Sequence, residues 1–400
     1  MSSSRPRVAF VDHVAQISGG EIALLRLIEA LGARAEVHVI LGEDGPLAPE
    51  LERHGATVHL LPMNPSLRDT RKETMRPGAF RLAGLSEAAA YVRRLRRLLV
   101  DIGPDVVHTN SLKSALVGGV AAKSVRLPVL WHVRDRISPD YLPTPAVWMV
   151  RALSRVVPDQ ILVNSRATAA TVPAASTVVY DAVPAAPPHH HRTEEGPVIL
   201  GMVGRLAPWK GQDVFVRALA LARRDHDLRA RLIGSAMFGE DAYEASLHDL
   251  CAELGIADIV DFRGFCSDIW AELAEIDVLV HASVTPEPFG QVVIEGMAAG
   301  VAVIAADAGG PAEVVTPGHD GLLVAPGDVA GLAAAIGKLA GDPGLRAQLA
   351  AEGRRTSAEY DPQTVATAVL AAYEKLRGRP GLAARLKQRS RQAIDSKAVP

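Results

Sequence analysis

Cysteine is nearly absent from this chain. Cys251 and Cys266 are the only two in 400 residues, too few for a disulfide framework or a four-thiolate zinc site. Aromatic residues are sparse too, at 4%, and the alanines that take their place suit a helix-rich α/β chain. No uncharged apolar run approaches the roughly 18 residues that a membrane-crossing helix needs. Neither sign of charge dominates, the formal net charge being −2, which argues against a generally nucleic-acid-binding surface. The opening stretch MSSSRPRVAFVDHVAQ lacks the long apolar core and small-residue cleavage site of an export signal. The expectation is a cytoplasmic protein.

What the chain does have is alternation. RVAFVD, AEVHVIL, TVHLLP, VVHTN, LPVLWHV and DQILVNS are short apolar or β-branched runs, and helical patterns such as EIALLRLIEALG, AAAYVRRLRRLLVDIGPD and SALVGGVAAKSV stand between them. A strand-helix rhythm of this kind predicts a doubly wound parallel sheet. It fails over VPAAPPHHHRTEEG and restarts at VILGMVGRL, continuing through LRARLIGS, IVDFRGF, IDVLVHAS and VAVIAAD with helical segments between. Four hundred residues exceed what one core fills. The reading is two Rossmann-like domains facing across a cleft. Residues 1–183 form the first, 184–196 a linker, and 197–376 the second. The last helix, about 362–376, is a candidate to cross back to the first domain, and a basic tail fills 377–400. His189, His190 and His191 fall in the linker and are read as solvated.

Ligands of open α/β sheets bind beyond the carboxyl ends of the strands, so the loops after strands are where chemistry is sought. In GMVGRLAPWKGQD a strand ends at Val203, and Arg205 and Lys210 follow beside the helix opened by Gly211. Two cations at a helix N-terminus suit a diphosphate. In PEPFGQVVIEGMAAG, Glu287 stands in a Pro/Gly loop and Glu295 lies one turn into an almost wholly apolar helix. A carboxylate there has no solvated face to belong to, and it accepts hydrogen bonds from vicinal sugar hydroxyls. Gly309 and Gly310 in DAGGPAEVV allow backbone N–H groups to approach a ligand. Gly19 and Gly20 in ISGGE do the same before the first helix. His132 in LWHVRD ends a strand, and His108 in VVHTN holds the analogous place one strand earlier. Asp225-His226-Asp227 has the form of a metal-diphosphate motif, but it lies at the opposite edge of the sheet and reads as a solvated turn.

Taken in order, GRLAPWKGQD, EPFGQVVIEGMAAGVAVIAADAGGPAEVV and HDGLLVAPGD resemble the donor-binding half of the retaining family 4 glycosyltransferases, which have the GT-B fold. Glu287 and Glu295 match that family's paired glutamates. The first half matches more loosely, through SGGE, LWHVRD and VNS. The resemblance implies that Arg205 and Lys210 hold the diphosphate of a nucleotide sugar and that Glu295 accepts from the ribose. It implies that Glu287 contacts the transferred sugar, with Phe289, Gly290 and Gln291 shaping its pocket and supplying backbone donors. His132 falls near the reacting sugar, and Gly19 and Gly20 under the diphosphate and acceptor. Catalytic roles fall to Glu287 and His132, with no cofactor and no metal. Gly296 departs from the family's usual alanine, and VVYDAVP from its Asn-Gly turn.

The acceptor side is marked by charge. Between Pro62 and Arg97 lie nine Lys/Arg against three Asp/Glu. YVRRLRRLLV is a basic amphipathic helix whose Arg93, Arg94, Arg96 and Arg97 suit the inner face of an anionic membrane and a lipid-linked acceptor, or a soluble anionic acceptor. The expected function is transfer of a sugar from a nucleoside-diphosphate sugar to a hydroxyl. The rivals are a sugar-nucleotide epimerase of the same fold, a non-catalytic two-lobed binding protein, and a nicotinamide oxidoreductase, the last weakened by the missing G-x-G-x-x-G fingerprint.

Overall fold

The structure is a computed structural model, and it describes residues 5–65, 82–188, 196–237 and 239–377. The histidines at 189–191, Arg68, Arg71, Lys72, Arg76, Arg81 and the tail beyond Arg377 lie outside the described residues.

Two compact units divide the chain. The first holds residues 1–164, 168–179 and 363–400, and the second holds 165–167 and 180–362. The first is built on seven parallel strands. They are β1 Arg7–Asp12, β2 Glu36–Leu41, β3 Thr57–Leu60, β4 Val106–Thr109, β5 Val129–Val133, β6 Gln160–Val163 and β7 Thr177–Val178. Their order across the sheet is β3-β2-β1-β4-β5-β6-β7. The second unit has six parallel strands: β8 Val198–Val203, β9 Leu228–Ile233, β10 Val260–Gly264, β11 Val278–His281, β12 Ala302–Ala306 and β13 Leu322–Val324. Their order is β10-β9-β8-β11-β12-β13. Both halves are therefore doubly wound parallel sheets, as the rhythm predicts.

The central strands are continuous apolar runs because helices cover both of their faces. Every residue of β4, β5, β11 and β12 is buried. The edge strand β3 has exposed ends instead. In the second unit the helix Gln291–Ala299 lies close on the sheet, and a Cβ at Gly296 would strike the Leu279 side chain. The departure from alanine at 296 thus has a packing reason.

Some elements escape the periodicity. The helix Thr144–Leu153 starts among prolines, which are favourable in a first turn rather than disruptive. The helix Pro343–Ser357 is announced by Asp342, whose side chain accepts from Leu345 N at 2.9 Å as an N-cap. Strands β7 and β13 have two and three residues and are too short to show a period. Residues 184–188, read above as the start of a linker, have no regular structure, and they follow Val183, whose N–H donates to Tyr360 O at 3.0 Å within the second unit. The residues from Gln363 onward, in the helix Pro362–Arg377, belong with the first unit.

Candidate functional site

In each sheet the winding reverses once, between β8 and β11 in the second unit and between β1 and β4 in the first. The loops leaving two such strands diverge, which opens a crevice at their carboxyl ends.

In the second unit those loops carry the acid and base predicted from the sequence. Beyond β8 the chain turns through Gly204 (φ +145°) and forms a short 3-10 turn over Pro208–Lys210. Gly211 then caps the helix Gln212–Ala222 in the left-handed region, φ +77°. A Cβ at Gly211 would collide with the Ala282 carbonyl beyond β11, and Val284 N donates to Trp209 O at 2.9 Å. The two loops are thus in backbone contact, which carries Lys210 to Glu287. Lys210 Nζ lies 2.7 Å from Glu287 Oε1 and donates to it. Ser283 Oγ donates to the same oxygen. His281 Nε2 stands 2.9 Å from it, off the line of a hydrogen bond. His281 Nδ1 accepts from Ala306 N at 3.4 Å, so the ring's proton sits on Nε2 and faces the carboxylate.

Glu287 is 6% exposed. Burial pushes its carboxyl up, but the Lys210 ammonium and its hydrogen bond, with His281 close by, outweigh that and hold it well below the usual carboxylate range. It is an ionised, buried acceptor. Arg205 is paired as well, its Nε lying 3.1 Å from Glu240 Oε2. Trp209 lies under both cations, with Lys210 Nζ 4.5 Å and the Arg205 guanidinium 5.7 Å from its ring centre.

Gly309 and Gly310 work differently from the expectation. Both lack a Cβ because the Glu287–Phe289 backbone fills the space, and Gly310 N donates to Glu287 O at 2.9 Å. The pair clamps the glutamate loop. Phe289 also departs from its expected place. Its side chain is 2% exposed and packs on Tyr180 and Tyr360 at 5.7 and 5.8 Å between ring centres. It anchors the loop in the core and leaves only backbone for a ligand. Gly290 caps the helix at φ +81° and Gln291 begins it. Glu295 is the fifth helical residue and is 6% exposed.

In the first unit, Gly19 and Gly20 open the helix Gly19–Leu31 rather than preceding it. Around them lies a network that the sequence did not disclose. Asn110 Nδ2 donates to Asp12 Oδ2 at 2.6 Å and to Gly20 O at 3.3 Å, and Arg134 donates to Asn110 Oδ1. Ser18 Oγ donates to Glu21. Burial, and secondly the Asp12 charge, push the Glu21 carboxyl up to about 7 against the hydrogen bonds it accepts.

His132 and His108 are both buried, at 2% and 0% exposure. Their rings meet through His108 Nε2 and His132 Nδ1 at 3.2 Å, and Tyr373 Oη lies 2.7 Å from His108 Nδ1. Burial, and then the Arg134 charge, hold both imidazoles well below their usual range, so both are neutral at pH 7.

Sequence reasoning missed His281, Ser283, Trp209, Glu240, Glu21 and Tyr373. The first two were findable. In VLVHAS they stand two apart at a strand's end, which puts them on one face beside the loop. The Asp225–Asp227 turn is largely exposed. Among the described residues no cluster of three or more His, Cys, Asp or Glu could hold a metal ion, and no helix is long and apolar enough to cross a membrane. Arg93, Arg94, Arg96 and Arg97 are all exposed on the helix Leu82–Ile102, opposite buried Leu95 and Leu99.

Comparison with known proteins bears on each half separately. The model "Glycosyl transferases group 1" matches residues 188–356, and "Glycosyl transferase 4-like domain" matches residues 18–182. The chain is 39% identical over 185 residues to the D-inositol 3-phosphate glycosyltransferase of Stackebrandtia nassauensis, a match covering 44% of this chain and 41% of that protein. With the lipopolysaccharide core biosynthesis glycosyltransferase LpsD of Rhizobium meliloti it shares 29% identity over 86% of this chain and 91% of that one. Among solved structures, Anabaena Alr3699/HepE in complex with UDP-glucose superposes with a TM-score of 0.80 at 26% identity, over 92% of this chain and all of that one. With a glycosyl transferase model on each of two doubly wound parallel α/β units, the chain belongs to the glycosyltransferases of the GT-B fold.

Proposed function

We propose that this chain is a retaining glycosyltransferase that moves a sugar from a nucleoside-diphosphate sugar to an acceptor hydroxyl, in the synthesis of a glycan, glycolipid or glycosylated metabolite. The observation that carries the reading is the buried, ionised Glu287 held on Lys210, Ser283 and His281 at the switch point of the second sheet. A carboxylate so fixed accepts from sugar hydroxyls without first being desolvated or reoriented. A uridine donor is supported by the HepE relative, which was solved in complex with UDP-glucose.

In the reaction the bond from the anomeric carbon to the β-phosphate oxygen breaks, and its electron pair goes to the diphosphate. Lys210, Arg205 and the N–H groups at the starts of the helices Gln212–Ala222 and Gln291–Ala299 receive that charge, with no obligatory metal. The acceptor oxygen bonds to the anomeric carbon on the face the diphosphate leaves. Its proton passes to a phosphate oxygen, and the configuration is retained. Glu295 takes the ribose hydroxyls, and Gln291 and Gly290 offer backbone donors to phosphate. His132 attends the reacting sugar, and Gly19 and Gly20 the diphosphate and acceptor. The exposed Arg93, Arg94, Arg96 and Arg97 fit an anionic acceptor, a lipid-linked one at the inner membrane surface included. Anionic vesicles that sediment the Arg-to-Glu variant of these four as well as the native chain would remove the membrane part.

The test of the whole is thermal shift against UDP-, GDP- and other nucleotide sugars, followed by NMR of the product's anomeric configuration. A raised melting temperature with one nucleotide class and a retained anomer are expected. No shift with any nucleotide sugar, or an inverted anomer, would overturn it.

A further inference from the structure

We propose that Tyr373 and His108 are positioning residues that fix the tautomer of His132, so that it offers an Nε2–H and acts as a hydrogen-bond donor rather than a base. The consequence for catalysis rests on the reading above, in which His132 attends the reacting sugar. The order of protons does not.

Tyr373 stands at the buried end of the chain of contacts. Tyr373 is fully buried, and among the described residues its hydroxyl has one hydrogen-bond partner, His108 Nδ1 at 2.7 Å. A buried O–H without an acceptor is costly, so Tyr373 donates and His108 Nδ1 must be the lone pair. A neutral imidazole carries one proton. That of His108 is therefore on Nε2, which faces His132 Nδ1 at 3.2 Å. His132 Nδ1 in turn accepts, which leaves the proton of His132 on Nε2.

The opposite order leaves the Tyr373 hydroxyl with no acceptor and a bare nitrogen at His132 Nε2. That nitrogen is buried and has no aligned hydrogen-bond partner among the described residues. Among the described residues the Val179 backbone also draws on this ring, and a carbonyl favours an N–H over a lone pair. The two ends of the chain therefore choose the same order. Both rings must be neutral for it to hold, and both are, by burial. Packing keeps the middle ring in plane, since Phe10 stacks on His108 at 4.4 Å between ring centres. Tyr373 lies on the helix Pro362–Arg377 and His108 and His132 on neighbouring strands β4 and β5. The helix Pro362–Arg377 thus sets a proton on a strand more than two hundred residues earlier in the sequence.

The test uses the full chain with 15N-labelled histidine. Imidazole nitrogen shifts are read by NMR, and His132→Gln and His108→Gln assign the signals. In the native chain each of the two rings should show a bare-type Nδ1 and a protonated-type Nε2. Tyr373→Phe removes one oxygen and keeps the ring. It should convert both signals to tautomer mixtures and lower kcat by about tenfold, the scale of one hydrogen bond lost, with the donor KM held within about twofold. Added to His132→Ala, Tyr373→Phe should cause no further loss. A protonated Nδ1 on His132 in the native chain, or nitrogen shifts that Tyr373→Phe leaves unmoved, would overturn the proposal. If the shifts behave as expected but His132→Ala transfers at the native rate, the proton order stands and the role of His132 in transfer is what fails.

Discussion

Lys210 and Glu287 meet at 2.7 Å across two loops 77 residues apart in sequence, with side chains 15% and 8% exposed. The residue expected to hold a phosphate and the one expected to hold a sugar are thus partners of each other. The pairing explains how a carboxylate survives ionised in a nearly dry site. It also makes each residue's loss costly beyond its own role.

Glu287→Gln should lower transfer at least a hundredfold, and it should destabilise the chain by about 3 kcal/mol because Lys210 is left buried and uncompensated. Removing both charges, in Glu287→Gln/Lys210→Met, should recover part of that stability and none of the activity. Chemical denaturation and initial rates on the same preparations separate the two effects. The sign with pH follows from the depressed carboxyl. Its stabilisation is full above the ordinary carboxylate range and is lost as pH falls below it, so native and Glu287→Gln stabilities should converge in acid. Equal stability of the single and native proteins at pH 7 would refute the account of the pair.

Much of this site was legible before any coordinates. An acid in an apolar helix and a basic loop after a strand have few structural explanations, and periodicity places both at strand ends. What stayed hidden had no local signature. Trp209 is an ordinary residue of a turn until Lys210 and Arg205 are seen above it. Tyr373 reads as one more apolar-face residue of an amphipathic helix, and only the third dimension sets it against His108. Gly309 and Gly310 were recognised as glycines with a purpose, but the purpose is to admit another stretch of backbone. The short strands β7 and β13 owe their existence to neighbours already in the sheet.

Glu240 holds Arg205 at 3.1 Å, so on the proposed reading it competes with the diphosphate for that guanidinium. Both side chains are about a quarter exposed, so the pair is worth about 1 kcal/mol or less. Glu240→Gln should therefore tighten UDP binding by about threefold to fivefold at low salt, an advantage that shrinks as salt screens the competitor. Isothermal titration at two ionic strengths measures it. Unchanged or weaker binding would mean that Arg205 does not reach the diphosphate.

Two glycines with the same left-handed backbone give a contrast. Gly309 (φ +67°) has the Glu287 backbone where a Cβ would go, and Gly327 (φ +77°) has nothing within 4 Å. Gly327→Ala should cost only the backbone strain, about 1 kcal/mol. Gly309→Ala must also push the glutamate loop away, so about 3 kcal/mol is expected, with donor binding weakened more than stability alone requires. Melting temperatures and UDP affinity, compared between the two variants, decide it. Matching losses would show that Gly309 does not position Glu287.

Glu21 should give the chain a pH dependence of opposite sign to that of Glu287. Its folded carboxyl is raised from 4.5 to about 7 by burial and by Asp12. The unfolded chain releases the proton first, so the folded state loses stability as pH rises from about 4.5 to about 7 and is penalised by a constant amount above that. The penalty is on the order of 3 kcal/mol. Glu21→Gln keeps a polar group for Ser18 Oγ and removes the titration. It should match the native chain near pH 4.5 and exceed its stability by a few kcal/mol at pH 8. Urea denaturation at the two pH values measures the difference, and a carboxyl-carbon NMR titration of Glu21 locates the midpoint. Because Asp12 is also tied to Asn110 Nδ2 at 2.6 Å, replacing Asn110 with alanine should move that midpoint, whereas a surface carboxylate would not respond. A Glu21 that titrates in the ordinary range would mean that water reaches it, and that the network around Gly20 is open rather than closed.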